Sequence, residues 1–177
     1  MIIYIVCIAI IGGVIALDLV TKSLAVSYSF DMVVIPKLIK FKLTYNTGAA
    51  FSFLGDKEWA QAFFIILTFI VLILMVGFVV FKIVKKQKLS KWILVALSLA
   101  FSGAIGNLID RLSFSKVRDF IFLFYETDIF PAIFNVADIA LVVGVIMICF
   151  YLLFLDKDAL FRKQPKEDSS GKTDDNG

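Results

Sequence analysis

The chain has 177 residues, 60% hydrophobic and 19% charged, and its mean hydropathy of +0.94 is far above that of soluble domains, which excludes an ordinary water-soluble globule and marks an integral membrane protein. It contains no histidine, which excludes Ser-His and Cys-His dyads and His-based zinc sites and leaves carboxylates, hydroxyls and lysines as the candidate chemistry. The net charge of +3 sits in lysines gathered in one short connection and in the tail, a pattern of membrane orientation and not of nucleic-acid binding.

Ile2 to Leu17 is an unbroken apolar run, and its helical pattern continues through Asp18 to about Leu24. No basic residue precedes it, and Asp18 and Lys22 stand where a cleavable leader carries small neutral residues, so it reads as a retained first span. Cys7, in this run, and Cys149, in the last, lack CxxC spacing and read as inert core residues. The segment 25–57 alternates apolar and polar residues around Val33-Val34-Ile35 and Phe41 to Tyr45, which predicts short strands before the turn at Asn46-Thr47-Gly48.

Further spans follow at about 59–81, 92–111 and 131–155, each long enough to cross a core of ~30 Å. Residues 82–91, KIVKKQKLSK, hold five lysines and no acid, which makes that connection cytoplasmic by the positive-inside rule. Both termini are then cytoplasmic, with 25–57 and 113–130 on the outer face. The second outer segment, rich in Phe and Ile through Phe120 to Phe124, reads as lying in the interface. Residues 1–157 form one membrane domain, and 158–177 a polar, disordered cytoplasmic tail.

Charged groups at membrane depth are costly and mark functional sites. At ~1.5 Å per helical residue, Asp18 and Asp110 lie about 24 and 27 Å from the inner ends of their spans and Asp138 about 10 Å from the outer end, so all three fall in the outer third. Asn107 precedes Asp110, and Asn135 precedes Asp138, by three positions, a spacing that puts amide and carboxylate on one helix face. Asp110 beside Arg111, and Asp18 four residues before Lys22, can also be read as simple ion pairs. Gly103 and Gly106 read as close helix packing, and Ser98 and Ser102 as packing hydroxyls.

Asp138 has no basic residue within four positions on its own helix and needs a partner from elsewhere. A second carboxylate sharing one proton would serve, the arrangement by which an aspartic peptidase activates water. On the residues alone Asp110 ranks above Asp119 for that place. Two rivals stand beside this reading. A proton- or ion-coupled transporter would relay protons through Asp18, Asp110 and Asp138, although acids confined to the outer third leave the inner half without a polar path. A Ser-Lys peptidase would use Lys22, whose sequence neighbour Ser23 faces elsewhere on a helix.

Five motifs occur together: DLVTK at 18–22, NTGAAF at 46–51, GAIGNLIDR at 103–111, VRDF at 117–120 and FNVAD at 134–138. In identity, order and placement this set resembles the lipoprotein signal peptidases, or signal peptidase II. The resemblance implies an all-α polytopic membrane enzyme of four spans with a small outer β-cradle and an interfacial helix. It implies a catalytic dyad of Asp119 and Asp138. Asn46, Gly48, Asn107, Arg111 and Asn135 would shape the site or meet substrate, Asp110 would be a supporting residue held by Arg111, and Asp18 and Lys22 would be structural supports. The implied reaction removes the signal peptide of a diacylglyceryl-modified bacterial prolipoprotein in the cytoplasmic membrane, with no metal or cofactor, and one chain holding the whole site.

Overall fold

A computed structural model describes residues 2–48, 57, 59–126 and 132–155. Four helices in it are long and apolar enough to cross a membrane. α1 runs Ile2–Ser27, α2 Ala60–Val84, α3 Lys91–Phe114 and α4 Val136–Phe150, the last continued by a π-helical turn, Tyr151–Leu155. The tail beyond 155, residues 49–56 of the first outer segment and 127–131 of the second lie outside the described residues.

The fourth span starts later than its apolar run. The run read as the fourth span begins at 131, but the Asn135 side chain accepts the Asp138 backbone N–H and the Asp138 carboxylate accepts that of Asn135, a capping box that fixes the helix start. Ala132–Phe134 before it form a strand instead. At α3 the Ser90 hydroxyl accepts the Trp92 N–H at 3.2 Å, and Ser115, in the left-handed region at φ 56°, ends the helix.

α3 is the hub of the bundle. In its most apolar stretch 61% of residues are buried, against 11% in each other span, so the other helices turn most of their side chains outward to lipid. A bilayer gives helices little hydrophobic reason to associate, and close backbone approach takes its place. A Cβ on Gly103 would fall on the Ala137 carbonyl and 2.7 Å from the Leu141 nitrogen of α4, and one on Gly144 would lie 2.5 Å from the Ala100 nitrogen of α3. The Ser98 and Ser102 hydroxyls donate to the carbonyls of Leu94 and Leu99, each at 2.8 Å, and take the packing role expected. Cys7 is buried as expected, whereas Cys149 is exposed on the outward face of α4 and is no core residue.

Four antiparallel strands cap one end of the bundle in the order β1 (Asp31–Ile35), β2 (Ile39–Asn46), β3 (Val117–Leu123), β4 (Ala132–Phe134). The first two answer the predicted alternation. The second outer segment departs from the expectation of an interfacial stretch: Phe120 to Leu123 belong to β3, paired on both sides, and no interfacial helix stands among the described residues. The physical reason is alternation. Val117, Asp119 and Ile121 occupy one face of β3 and Arg118, Phe120 and Phe122 the other. Phe120 is buried beneath the sheet in an edge-on cluster with Phe30 and Phe41, centroids 6.1 and 6.4 Å away, which seats the sheet on the end of α1.

Candidate active site

Strand register brings the site together. Asn46 pairs with Val117 and Thr44 with Asp119, so Asn46 and Asp119 lie diagonally on one face. Ile121 pairs with Phe134, which delivers Asn135 and the first turn of α4 beside Asp119. The result is a cavity of about 540 Å³ lined by Asn46, Gly48, Asn107, Arg111, Asp119 and Asp138, with apolar walls from α2, α3, β4 and α4.

Both carboxylates are fully engaged by amides. Asp119 accepts from Asn46 Nδ2 at 3.0 Å and from Asn135 Nδ2 at 2.7 Å. Asp138 accepts from Asn107 Nδ2 at 2.7 Å and from the Asn135 backbone N–H at 3.0 Å. Asn135, itself fully buried, therefore ties the two acids together. Burial, then the negative charge of Asp138, push the Asp119 carboxyl up to about 7 against the opposing pull of the Asn46 and Asn135 amides and Lys22. Two acids in one buried site, one of them titrating near neutrality, can hold a single proton between them.

Beneath the cavity lies a buried charge cluster. Lys22 Nζ stands 2.7 Å from Asp18, 3.5 Å from Asp110 and 3.0 Å from Asn107 Oδ1. Asp18 also accepts the Ala137 N–H at 2.9 Å. Asp18, Lys22 and Asp110 are wholly buried, so the ion pair read between Asp18 and Lys22 forms inside the bundle. Asp110 is not held by Arg111. Its partner is Arg118, through Nη2 at 2.6 Å, Nε at 3.2 Å and the backbone N–H at 2.9 Å. The reason is direction: Arg118 lies on the face of β3 opposite Asp119 and so turns toward α3. Arg111 turns to the cavity, donating to the Gly48 carbonyl at 3.2 Å with its guanidinium 5.2 Å from the Phe64 ring.

The repeated amide-carboxylate spacing resolves into two different devices. Asn135 and Asp138 bond each other as the helix cap. Asn107 ignores Asp110, crossing instead to Asp138 on α4 and to Lys22 on α1. Arg118 is the residue that sequence reasoning missed, although its place in VRDF next to an acid was a signal. Among the described residues no group of His, Cys, Asp and Glu is arranged to hold a metal ion.

The model of a protein family described as signal peptidase (SPase) II matches residues 10–154. Proteins named lipoprotein signal peptidase are similar across most of their length. That of Pseudomonas paraeruginosa is 40% identical over 139 residues, 76% of this chain and 80% of that protein, and that of Coxiella burnetii 41% identical over 144 residues, 79% and 85%. A solved bacterial membrane enzyme superposes with a TM-score of 0.71 at 36% identity, covering 84% of this chain and 87% of the other. By motif set, fold and this similarity, the chain belongs to the signal peptidase II family.

Proposed function

We propose that the chain is an aspartic endopeptidase that removes the signal peptide of a diacylglyceryl-modified prolipoprotein by cleaving before the lipidated cysteine, with Asp119 and Asp138 as its catalytic pair. The observation that carries this reading is the placement of both acids in one apolar-walled cavity, bridged by Asn135. An ionised member deprotonates a water while a protonated one hydrogen-bonds the scissile carbonyl, then helps protonate the leaving amine. The five-lysine connection supports a topology with both termini in the cytoplasm and the cavity at the extracytoplasmic face of the bacterial membrane. A substrate held there by its own lipid reaches the acids without a diffusional search. Arg111 and Gly48 border the cavity where a substrate backbone would pass, and one copy of the chain suffices.

A proton relay finds little support. A second cavity, of about 310 Å³ between α1, α2 and α3, is lined by apolar residues apart from the Tyr4 and Ser98 hydroxyls and the Cys7 thiol, with no acid or amide among them. The test is cleavage in detergent of a prolipoprotein with and without its diacylglyceryl group, by the native chain and by Asp119→Asn and Asp138→Asn. The reading expects only the lipidated form to be cut, and a loss of at least about a thousandfold with each substitution. Full activity in a folded Asp119→Asn protein would remove that residue from the pair.

A further inference from the structure

Each surrounding amide is held in one orientation by a group that can act in only one sense, and the two carboxyls that share a proton differ in what stands behind those amides. An ammonium has donors and no acceptor, so the Asn107 atom that meets Lys22 at 3.0 Å is the carbonyl oxygen. Asn135 Nδ2 donates to the same oxygen at 3.0 Å. Asn107 is thereby obliged to turn its NH2 to Asp138, at 2.7 Å. The other Asp138 oxygen accepts a backbone N–H, which also can only donate. Asp138 further sits in the first turn of α4, where the aligned peptide dipoles favour negative charge.

Asp119 also accepts from amides held in one orientation, since the Asn46 and Asn135 oxygens accept the Gly48 N–H at 2.9 Å and the Asp138 N–H at 3.0 Å. It comes from a strand, however, and lacks the helix N-terminus that stands behind Asp138. The charged groups packed around the pair are Asp18 and Lys22 from α1, Asp110 and Arg111 from α3, and Arg118 from β3. Asp18 is paired with Lys22, and Asp110 with Arg118. Lys22 is the cation that reaches the pair through an amide: one amide, Asn107, separates it from Asp138, and a second, Asn135, separates it from Asp119.

We propose that Lys22, acting through the amide of Asn107, is a positioning residue that keeps Asp138 ionised and makes Asp119 the proton carrier of the pair. This rests on the hydrolytic reading above and adds direction to it. Asp138 takes a proton from water as the water oxygen bonds to the scissile carbonyl carbon, and Asp119 gives its proton to the carbonyl oxygen. On collapse the carbon–nitrogen bond breaks, the proton on Asp138 passes to the leaving nitrogen, and a hydroxyl proton returns to Asp119. Both acids end as they began.

The test reads protonation directly, by infrared spectroscopy of the full chain in detergent, following the carbonyl stretch of protonated carboxyl groups through a pH titration. The native protein should show one such group titrating with a midpoint near 7. Asp119→Asn should abolish that signal. Asp138→Asn should retain it at a lower midpoint, since the neighbouring negative charge is gone. The reverse result, a signal lost with Asp138→Asn and kept with Asp119→Asn, overturns the assignment.

For Lys22 the double variant Asp18→Asn/Lys22→Met removes a charge pair together. It leaves an acceptor for the Ala137 N–H, and Asp110 keeps Arg118. In that background the Asn107 oxygen keeps the Asn135 amide but has lost its cation, and a protonated-carboxyl signal from Asp138 should now survive Asp119→Asn. If Asp119→Asn still abolishes the signal there, Lys22 has no positioning role. The spectra do not depend on turnover: a native chain that shows the Asp119 signal yet cuts no lipidated prolipoprotein would defeat the hydrolytic reading and not the proton assignment.

Discussion

Asp119→Asn should flatten the pH dependence of stability, and the size of the effect follows from the site. In the unfolded chain this carboxyl titrates near 3.8, and in the folded protein near 7. Between those values the folded state holds a proton that the unfolded chain has lost. Stability therefore falls as pH rises, the reverse of the usual salt-bridged aspartate. Asp119 is only 2% exposed, so solvent screening takes little away. From pH 5 to pH 8 the loss is about 3 kcal/mol, at 1.36 kcal/mol per pKa unit. For a chain of this length that corresponds to a Tm lower by roughly 6–12 °C. Thermal unfolding in one detergent at fixed ionic strength, for native and Asp119→Asn protein across that pH range, isolates the contribution as the difference between the two curves. If both proteins lose stability in parallel, Asp119 is not a neutral, buried acid and the account of the site is wrong.

Other consequences are open to measurement. Prolipoprotein cleavage by the native chain should fall about tenfold per pH unit above the Asp119 midpoint near 7, and a rate that stays flat to pH 9 would exclude a protonated Asp119 in the reactive form. Gly144→Ala should destabilise by about 1–3 kcal/mol or more, because the three atoms nearest the new Cβ are α3 backbone, at 2.5 to 2.9 Å, and cannot move aside as a flexible side chain can. Gly77→Ala on α2 meets nothing within 4 Å and should leave Tm unchanged or raise it. Arg118→Met should cost about 3–5 kcal/mol by leaving Asp110 buried with only Lys22 at 3.5 Å and the backbone N–H of residue 118, and a loss below 1 kcal/mol would show that these two suffice.

The helices were legible because each is an apolar run of membrane length, a property local to the sequence. The alternation at 33–35 and 41–45 gave β1 and β2 for the same reason. Residues 131–135 misled because hydrophobicity cannot distinguish a short strand from a helix start; the capping box at Asn135 decides, and its signature lies in two polar residues three apart. The Phe-rich segment misled because it was weighed by composition, whereas its alternation was the informative property. Composition and spacing alone put Asp110 above Asp119 as the partner of Asp138. Pairing between residues far apart in sequence, such as Asn46 with Val117, was what put Asp119 in the cavity, and no local pattern encodes it. Adjacency suggested Arg111 for Asp110, but neighbours on a helix face different ways, and the arginine that reaches Asp110 comes from the next element.

The buried charges beneath the cavity need a reason, since an apolar cluster of similar volume can be equally stable. Their partners supply one. Asp18 and Lys22 belong to α1, Asn107 and Asp110 to α3, Arg118 to β3, and the N–H bound by Asp18 to the first turn of α4. Apart from the Lys22–Asp18 pair within α1, these bonds join different elements, and through Lys22 the cluster meets Asn107, one of the amides that hold the two cavity acids. Close packing belongs to the same arrangement: a Cβ on Gly106 would stand 2.7 Å from the Asp18 carboxylate, so the absence of a side chain there is what lets α1 and α3 approach closely enough for Lys22 to reach Asn107. The contacts that assemble the bundle are thus the contacts that orient the acids, and a change to one cannot be made without disturbing the other.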